Sequence, residues 1–342
     1  MEPCEVCQNI IAIRMAMLSK GISCYVKVVE PTADAKKMDC ACKIEGTEKV
    51  IEINGNYFEI VRDDKYAGKR LNNKIAIVTG GAQGFGKGIV DEIIAEGALV
   101  CIADFNDALA IKVAGELEEE FGKGRVFAVK ANVADEESVQ NMVKTTVATY
   151  GGVDILVNNA GIARAGSLEE MDEKTFTLVT DVNYKAYFLC AKYVSMVMKM
   201  QFACNNNYYA DIVQISSKSG LEGSNKNFAY AGSKFGGIGL TQSFAKELCP
   251  FNIKVNSICP GNYLDGPLWS DPEKGLFKQY FEAGKVPGAK SVEDVRAFYM
   301  SKVPMNRGCF PKDVAKAIMY CVEQEYETGQ AIPVTGGQVM LN

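Results

Sequence analysis

Tyr230 and Lys234 stand four residues apart in Tyr230-Ala231-Gly232-Ser233-Lys234, a spacing that puts a phenol and an ammonium on one face of a helix. Such a pair can move a proton. A free tyrosine has a pKa of about 10, and lowering it by ~3 units for work near neutral pH takes roughly 4 kcal/mol of differential stabilisation. A neighbouring ammonium supplies part of it. Alone, the pair also describes a solvated helix face. Ser216-Ser217 tips the balance towards chemistry, since Ser217 closes an apolar strand pattern 13 residues before Tyr230.

A second group of residues binds rather than reacts. Thr79-Gly80-Gly81-Ala82-Gln83-Gly84-Phe85-Gly86 follows one strand pattern and opens a helical one. Glycine permits the tight turn and lets backbone approach a pyrophosphate, whose charge is favoured by the free N–H groups of a helix start. Gly80, Gly84 and Gly86 therefore read as a dinucleotide cradle. The next strand pattern ends at Asp104, 18 residues beyond Gly86. A carboxylate there accepts hydrogen bonds from a ribose diol and repels a 2′-phosphate, unless it is only a turn or cap residue. No Arg or Lys follows Asp104 within the next several residues, so NAD is expected rather than NADP.

Composition narrows the chemistry further. The 342 residues include no histidine, so neither a Ser-His-Asp nor a Cys-His nucleophile system can be built, nor a zinc site with imidazole ligands. Proton transfer falls to Tyr, Lys, Asp, Glu or Cys. With 37 basic and 42 acidic residues the formal charge is −5, which argues against a nucleic-acid partner. The apolar run Ile10 to Leu18 is interrupted by Arg14 and is too short to span a bilayer, so no membrane partner is expected. The 12 cysteines are scattered, and no secretory pattern precedes them, which points to a reducing cytoplasm. Cys4-x-x-Cys7, Cys40-x-Cys42 and Cys24 could supply thiolates to zinc. A four-thiolate site normally carries two C-x-x-C knuckles and only one is present, so reduced thiols and no metal are expected.

The elements that must position these groups are legible from periodicity. Strand patterns run Ile75–Val78, Leu99–Ala103, Val126–Val129, Ile155–Val157, Ile212–Ile215, Lys254–Ile258 and Ala331–Val334, and helical patterns between them include 88–96, 107–121, 136–150, 235–248 and 313–323. This alternation predicts an α/β, Rossmann-type, doubly wound seven-stranded parallel sheet over residues 73–342. Residues 1–72 predict a small α+β appendage, with an apolar helix, strand patterns at 25–29, 49–53 and 57–61, and a hairpin at Asn54-Gly55. A polar linker near 66–73 joins the two. The stretch from about 262 to 310 predicts a substrate lid with two short helices.

From about Asn73 onward the chain resembles the short-chain dehydrogenase/reductase family. The resemblance rests on the glycine loop Thr79 to Gly86, on Asn158-Asn159-Ala160-Gly161, on Asn183 in Asp181-Val182-Asn183, on Ser217, on Tyr230 and Lys234, and on Pro260-Gly261. It implies that Tyr230 is the general acid/base and that Ser217 holds the same substrate oxygen. Lys234 would lower the tyrosine pKa and bond the nicotinamide ribose, and Asn183 would hold a water relaying protons to solvent. NAD would be bound by Gly80, Gln83, Gly84, Phe85 and Gly86, by Asp104 and Phe105, by Asn132 and Val133, by Asn159, Ala160 and Gly161, and by Tyr230, Lys234, Pro260, Gly261 and Asn262. Asn132 stands where the family usually has Asp, and Asp265 where it often has threonine. The resemblance also implies a homodimer or homotetramer.

A narrower likeness is to polyol-phosphate dehydrogenases of that family, carried by Ser217-Lys218-Ser219-Gly220, Gly223 to Asn227, Lys302-Val303-Pro304 and Val334 to Met340. It implies a phosphorylated polyol/ketose substrate, with Arg164, Lys218 and Arg307 as candidate phosphate ligands. Asn262 could bond a sugar hydroxyl or the nicotinamide side. Another polyol, sugar or hydroxyacyl substrate is the alternative, and a non-catalytic NAD-binding regulatory module is a third reading.

Overall fold

The computed structural model describes residues 4–340. The appendage begins with α1 (Glu5–Ser19), followed by β1 (Tyr25–Val29), β2 (Lys36–Lys37), β3 (Val50–Ile53) and β4 (Asn56–Val61), which form a sheet in the order β1-β4-β3-β2. The β3–β4 hairpin turns at Asn54 and Gly55, with φ of 51° and 76°. Both are left-handed, as a two-residue turn needs if its twist is to match the flanking strands. The larger unit runs β5 (Ile75–Thr79), α2 (Gly84–Ala95), β6 (Leu99–Asp104), α3 (Asp107–Phe121), β7 (Val126–Lys130), α4 (Glu136–Tyr150) and β8 (Ile155–Asn158). It continues through α5 (Glu173–Thr180), α6 (Ala186–Cys204), β9 (Ala210–Ile215), α7 (Phe228–Leu248) and β10 (Ile253–Pro260). The lid helices α8 (Pro267–Ser270), α9 (Leu276–Glu282) and α10 (Val292–Ser301) follow, and α11 (Pro311–Glu323) and β11 (Ala331–Val334) end the unit.

The seven strands lie in the order β11-β10-β9-β8-β5-β6-β7, and every neighbouring pair is parallel. The order reverses between β5 and β8, so the connections leaving their carboxyl ends diverge and open a crevice there. The central strands are buried on both faces, which explains their unbroken apolar runs. The lid carries three short helices, one more than its pattern predicts. α7 starts seven residues before the periodic stretch at Phe235, and this brings Tyr230 into its first turn. Cys40 and Cys42 are joined as a disulfide, a correction to the expectation of reduced thiols throughout.

The appendage is not held by its linker alone. Ile10, Ile13 and Met17 of α1 belong to one apolar cluster with Met142 and Val143 of α4 and Tyr187 and Val194 of α6, so α1 extends the helical layer on that face of the sheet. Arg14, which interrupts the apolar run of α1, is 1% exposed and pairs bidentately with Asp154 at 2.9 and 2.5 Å. The Asp154 carboxylate also accepts from the Ile75 N–H at 2.7 Å, tying the pair to the start of β5. Burial alone would raise the Asp154 carboxyl, but the Arg14 guanidinium beside it holds it below the usual carboxylate range. Removing one partner of a buried pair strands the other charge, at a cost of about 3–5 kcal/mol. Arg14→Ala should lower unfolding stability by that order in urea denaturation. Lys27→Ala, which breaks the exposed Lys27–Glu59 pair, should change it by less than about 1 kcal/mol.

Candidate active site

The crevice is built from the carboxyl ends of β5, β6, β8, β9 and β10. At β5 the backbone turns back on itself so tightly that a Cβ at Gly86 would lie 1.9 Å from the Gly80 carbonyl oxygen and 2.6 Å from Asn159 Nδ2. Only glycine fits. Gly80 and Gly84 have φ of 63° and 60°, the left-handed region that side chains avoid. Asn159, after β8, braces the loop by donating from Nδ2 to the carbonyls of Thr79 and Gly80 at 2.9 and 3.1 Å. The N–H groups of Asn159 and Ala160 both donate to Thr79 Oγ1 at 3.0 Å. The Asp104 carboxylate is held at the end of β6 by the N–H groups of Ala82 and Asn106, at 3.0 and 2.9 Å.

The four residues expected to do chemistry come together across β9, α7 and the turn before α6. The Ser217 hydroxyl lies beside the Tyr230 phenol and offsets part of the rise that burial imposes on it, and Ser217 Oγ accepts from the Ser219 N–H at 3.1 Å. Lys234, one helical turn on from Tyr230, is 3% exposed and donates to the Ile215 carbonyl at 2.8 Å, with its Nζ 5.6 Å from the Tyr230 ring centre. Asn183 sits in a π-helical turn between α5 and α6, an irregularity common at functional sites. Its Oδ1 accepts from the Ile162 N–H at 2.8 Å, and its Nδ2 donates to the Ile162 carbonyl at 2.9 Å and to Ser233 Oγ at 3.1 Å. A Cβ on Gly161 would fall 3.3 Å from Asn183 Oδ1 and 3.6 Å from Lys234 Nζ, so the bare glycine lies between them.

Burial pushes Lys234 down to about 8 and raises the Tyr230 phenol, with the Ser217 hydroxyl offsetting part of the rise. Burial sets the net direction for the phenol, and the Lys234 ammonium beside it donates to the Ile215 carbonyl. Lowering Tyr230 therefore calls for a further positive charge, which the nicotinamide ring of an oxidised cofactor carries.

The remaining expected contacts divide into those that face the crevice and those otherwise engaged. Gln83 is the exposed N-cap of α2, Phe85 packs on Tyr263 at 5.2 Å between ring centres, and Phe105 is 72% exposed beside Asp104. Asn132 is exposed and turned to its own loop, its Oδ1 accepting from the Ala134 N–H at 3.2 Å, while Val133 is buried. Pro260 closes β10, and the Gly261 N–H donates to the Val334 carbonyl at 2.9 Å. Asn262 is buried with its Nδ2 unpartnered, which leaves a donor for a carboxamide or a sugar hydroxyl. Glycine cradle, carboxylate and orphaned amide together fit a nicotinamide dinucleotide.

Among the substrate candidates, the Lys218 side chain is only 13% exposed next to Ser217. Arg164 is exposed and bonds its neighbour's carbonyl. Arg307 forks onto Asp313 at 2.6 and 3.0 Å. Asp265 pairs with Arg296 of α10 and so fastens the lid. Sequence reasoning missed the lid residues that reach the crevice. Tyr280 of α9 accepts a bond from Asn227 Nδ2 at 3.1 Å, immediately before α7. Lys285 lies 3.9 Å from the Tyr280 ring centre.

This architecture and crevice define a nicotinamide-dependent oxidoreductase, and the short chain dehydrogenase family model matches residues 74–271. The chain belongs to that family. It is 37% identical over 271 residues to the sorbitol-6-phosphate 2-dehydrogenase of Escherichia coli (strain K12), covering 79% of this chain and 100% of that relative. The 3-oxoacyl-[acyl-carrier-protein] reductase of Thermotoga maritima is 33% identical, at 79% and 100% coverage. Among solved structures, the sorbitol-6-phosphate 2-dehydrogenase of Erwinia amylovora matches with a TM-score of 0.71 at 36% identity, covering 78% of this chain and 100% of that chain. The 3-ketoacyl-(acyl-carrier-protein) reductase of Brucella melitensis, complexed with NADH, matches with a TM-score of 0.66 at 27% identity, covering 78% and 99%. The family model starts after the appendage.

Gly86→Ala should weaken NADH binding at least ~10-fold, measured by quenching of protein fluorescence, because the added methyl has no space against the Gly80 carbonyl. Unchanged affinity would mean that the cradle does not hold the pyrophosphate.

Proposed function

We propose that this chain is an NAD-dependent oxidoreductase interconverting D-sorbitol 6-phosphate and D-fructose 6-phosphate. The observation that carries the substrate is the Lys218 side chain, 13% exposed directly after Ser217, whose one carboxylate partner, Glu222, lies at 3.4 Å and leaves the ammonium free to meet a phosphate. Similarity to two sorbitol-6-phosphate 2-dehydrogenases supports it. The 33% identity to a 3-oxoacyl reductase favours a hydroxyacyl substrate as the second reading. A binding-only regulatory module has no use for proton-transfer groups, and Asn183, Ser217, Tyr230 and Lys234 are all in place.

NAD, when bound, supplies the hydride acceptor. Gly80, Gly84 and Gly86 would hold its pyrophosphate, Asp104 its adenosine ribose diol, and Asn262 its carboxamide. Ser217 Oγ orients the substrate oxygen, so that the reacting carbon is held in a near-attack geometry. Tyr230 takes the hydroxyl proton in oxidation and returns it to the carbonyl oxygen in reduction. Lys234 would add positive charge beside the tyrosine and would bond the nicotinamide ribose of a bound cofactor. Asn183 braces the Ile162 backbone beside Lys234, and from there it could also hold the water of a proton relay. We further propose a homodimer or homotetramer in the cytoplasm. The half-exposed Phe188 and Phe235 of α6 and α7 offer an apolar surface for self-association, and no helix among the described residues is long and apolar enough to cross a membrane.

Three outcomes check the reading. NADH formation should occur with D-sorbitol 6-phosphate and NAD, and fall at least ~100-fold with D-sorbitol or with NADP; turnover of acetoacetyl-CoA alone would move the substrate to the hydroxyacyl class. Tyr230→Phe should bind NADH normally and lose at least ~1,000-fold in kcat. Because burial raises the phenol, Tyr230 must be deprotonated to act in oxidation, so oxidation kcat/KM should climb with pH through the neutral and alkaline range. The reduction rate, which uses the protonated phenol, should not climb with it.

A further inference from the structure

The lid holds cations that its structural ion pairs leave over. Arg296 is spent on Asp265 and Arg307 on Asp313. Lys285 and Lys302 have no carboxylate partner among the described residues, and Lys218 touches only Glu222, at 3.4 Å. Lys285 is partly buried just after α9, and its Nζ donates to Ser224 Oγ at 3.3 Å and sits 3.9 Å from the Tyr280 ring centre. A hydroxyl and a ring face hold an ammonium without neutralising it. Tyr280 accepts from Asn227 at 3.1 Å, and its hydroxyl lies within electrostatic range of Tyr230. Lys285 is therefore stationed to one side of the proton-transfer tyrosine, behind one aromatic ring.

The loops after Ser217 and after β8 are both stitched to this region. Lys226 Nζ donates to the Ala283 carbonyl at 2.6 Å, and the Ala165 N–H donates to Gln279 Oε1 at 3.1 Å. Lys302 packs over the Phe298 ring at 4.1 Å. Burial together with the charges of Lys218 and Lys302 pushes Lys285 down to about 8. Three like charges acting on one another, with Glu222 at Lys218 as their one carboxylate partner, cost stability, and a dianion repays it.

We propose that Lys285, with Lys218 and Lys302, forms the subsite for the substrate's phosphate monoester, Lys285 being the central ligand; this rests on the hexitol-phosphate reading above. Its role is recognition at a distance from the reacting carbon, so it acts on KM. Arg164 and Arg307 are outside the subsite, Arg307 being occupied by Asp313. The ribose 3′-phosphate of an acyl-CoA is also a phosphate monoester, and substrate choice separates the two sources.

The test uses the full chain and steady-state kinetics with D-sorbitol 6-phosphate, D-sorbitol and acetoacetyl-CoA. Lys285→Met should raise KM for D-sorbitol 6-phosphate at least ~10-fold with kcat within ~3-fold, and leave any slow D-sorbitol oxidation unchanged. Lys285→Arg should recover most of the affinity, and Arg307→Met should not reproduce the defect. Inorganic phosphate should compete with the sugar phosphate in the parent chain and do so at least ~5-fold less well in Lys285→Met. The parent KM should also rise above about pH 8 as Lys285 loses its proton, and this rise should vanish in the variant. An unchanged KM for the phosphorylated polyol, or an effect confined to acetoacetyl-CoA, overturns the proposal. If the parent enzyme turns over no hexitol phosphate, the reading beneath it fails instead. In that case inorganic phosphate binding by calorimetry decides the subsite, with loss of phosphate binding in Lys285→Met supporting it and equal binding overturning it.

Discussion

A cation buried without a counterion governs the catalytic end of this protein. Lys234 is almost wholly enclosed and donates to the Ile215 carbonyl. Taking an ammonium out of water is costly, so its position must be over-determined by everything around it. The bond to Ile215 locks α7 to the last residue of β9, and that fixes Tyr230, one turn earlier, against Ser217, two residues beyond the strand. Gly161 and Asn183 complete the enclosure because neither crowds the ammonium. The π-helical turn that carries Asn183 is a local sacrifice of regular helix to aim one amide at the Ile162 backbone.

The appendage acts at the opposite end of the sheet. Arg14 reaches Asp154 before β8, the Asn73 carbonyl before β5 and the Cys24 carbonyl before β1. These are strand starts, whereas the crevice lies at strand ends. At ~3.3 Å per residue, the five residues of β5 separate the two by roughly 15 Å. The appendage can therefore raise the stability of the scaffold without contacting substrate or cofactor. Its α1 covers side chains of α4 and α6 that would otherwise present a large apolar surface, and burial at about 25 cal/mol per Å² makes such cover a strong hold.

Sequence alone reached the sheet and the cradle because both are written in local signals. α3 and α4 were legible to the residue, since Asn106 and Asp135 cap their starts through side-chain bonds and Gly122 and Gly151 close them. The apolar periodicity of α7 was legible only from Phe235, because Phe228 to Lys234 are mostly buried or half-buried and show no polar face, so the start of the helix was carried by the Tyr230–Lys234 spacing alone. Asn183, Ser217, Tyr230 and Lys234 lie in one group, but the upward direction of the Tyr230 shift did not follow from their spacing. It follows from the burial of the phenol in the folded chain, which no local spacing encodes. Arg14 read as a flaw in an apolar helix, because its partner lies 140 residues away.

The lid shows how a protein separates structural charge from available charge. An arginine fork matches a carboxylate in shape, and both lid arginines are spent this way, Arg296 on Asp265 and Arg307 on Asp313. A lysine ammonium is a point donor that a ring face and a hydroxyl can support, and Lys285 is supported by these two. An anion approaching the crevice therefore meets lysines that no acidic side chain has already claimed. The aromatic cluster of Trp269, Phe277, Tyr280 and Tyr299 gives the lid its own small core. That rigidity lets it hold Lys285 and Lys302 in place against their mutual repulsion, so the polarity of the pocket is set by packing rather than by pairing.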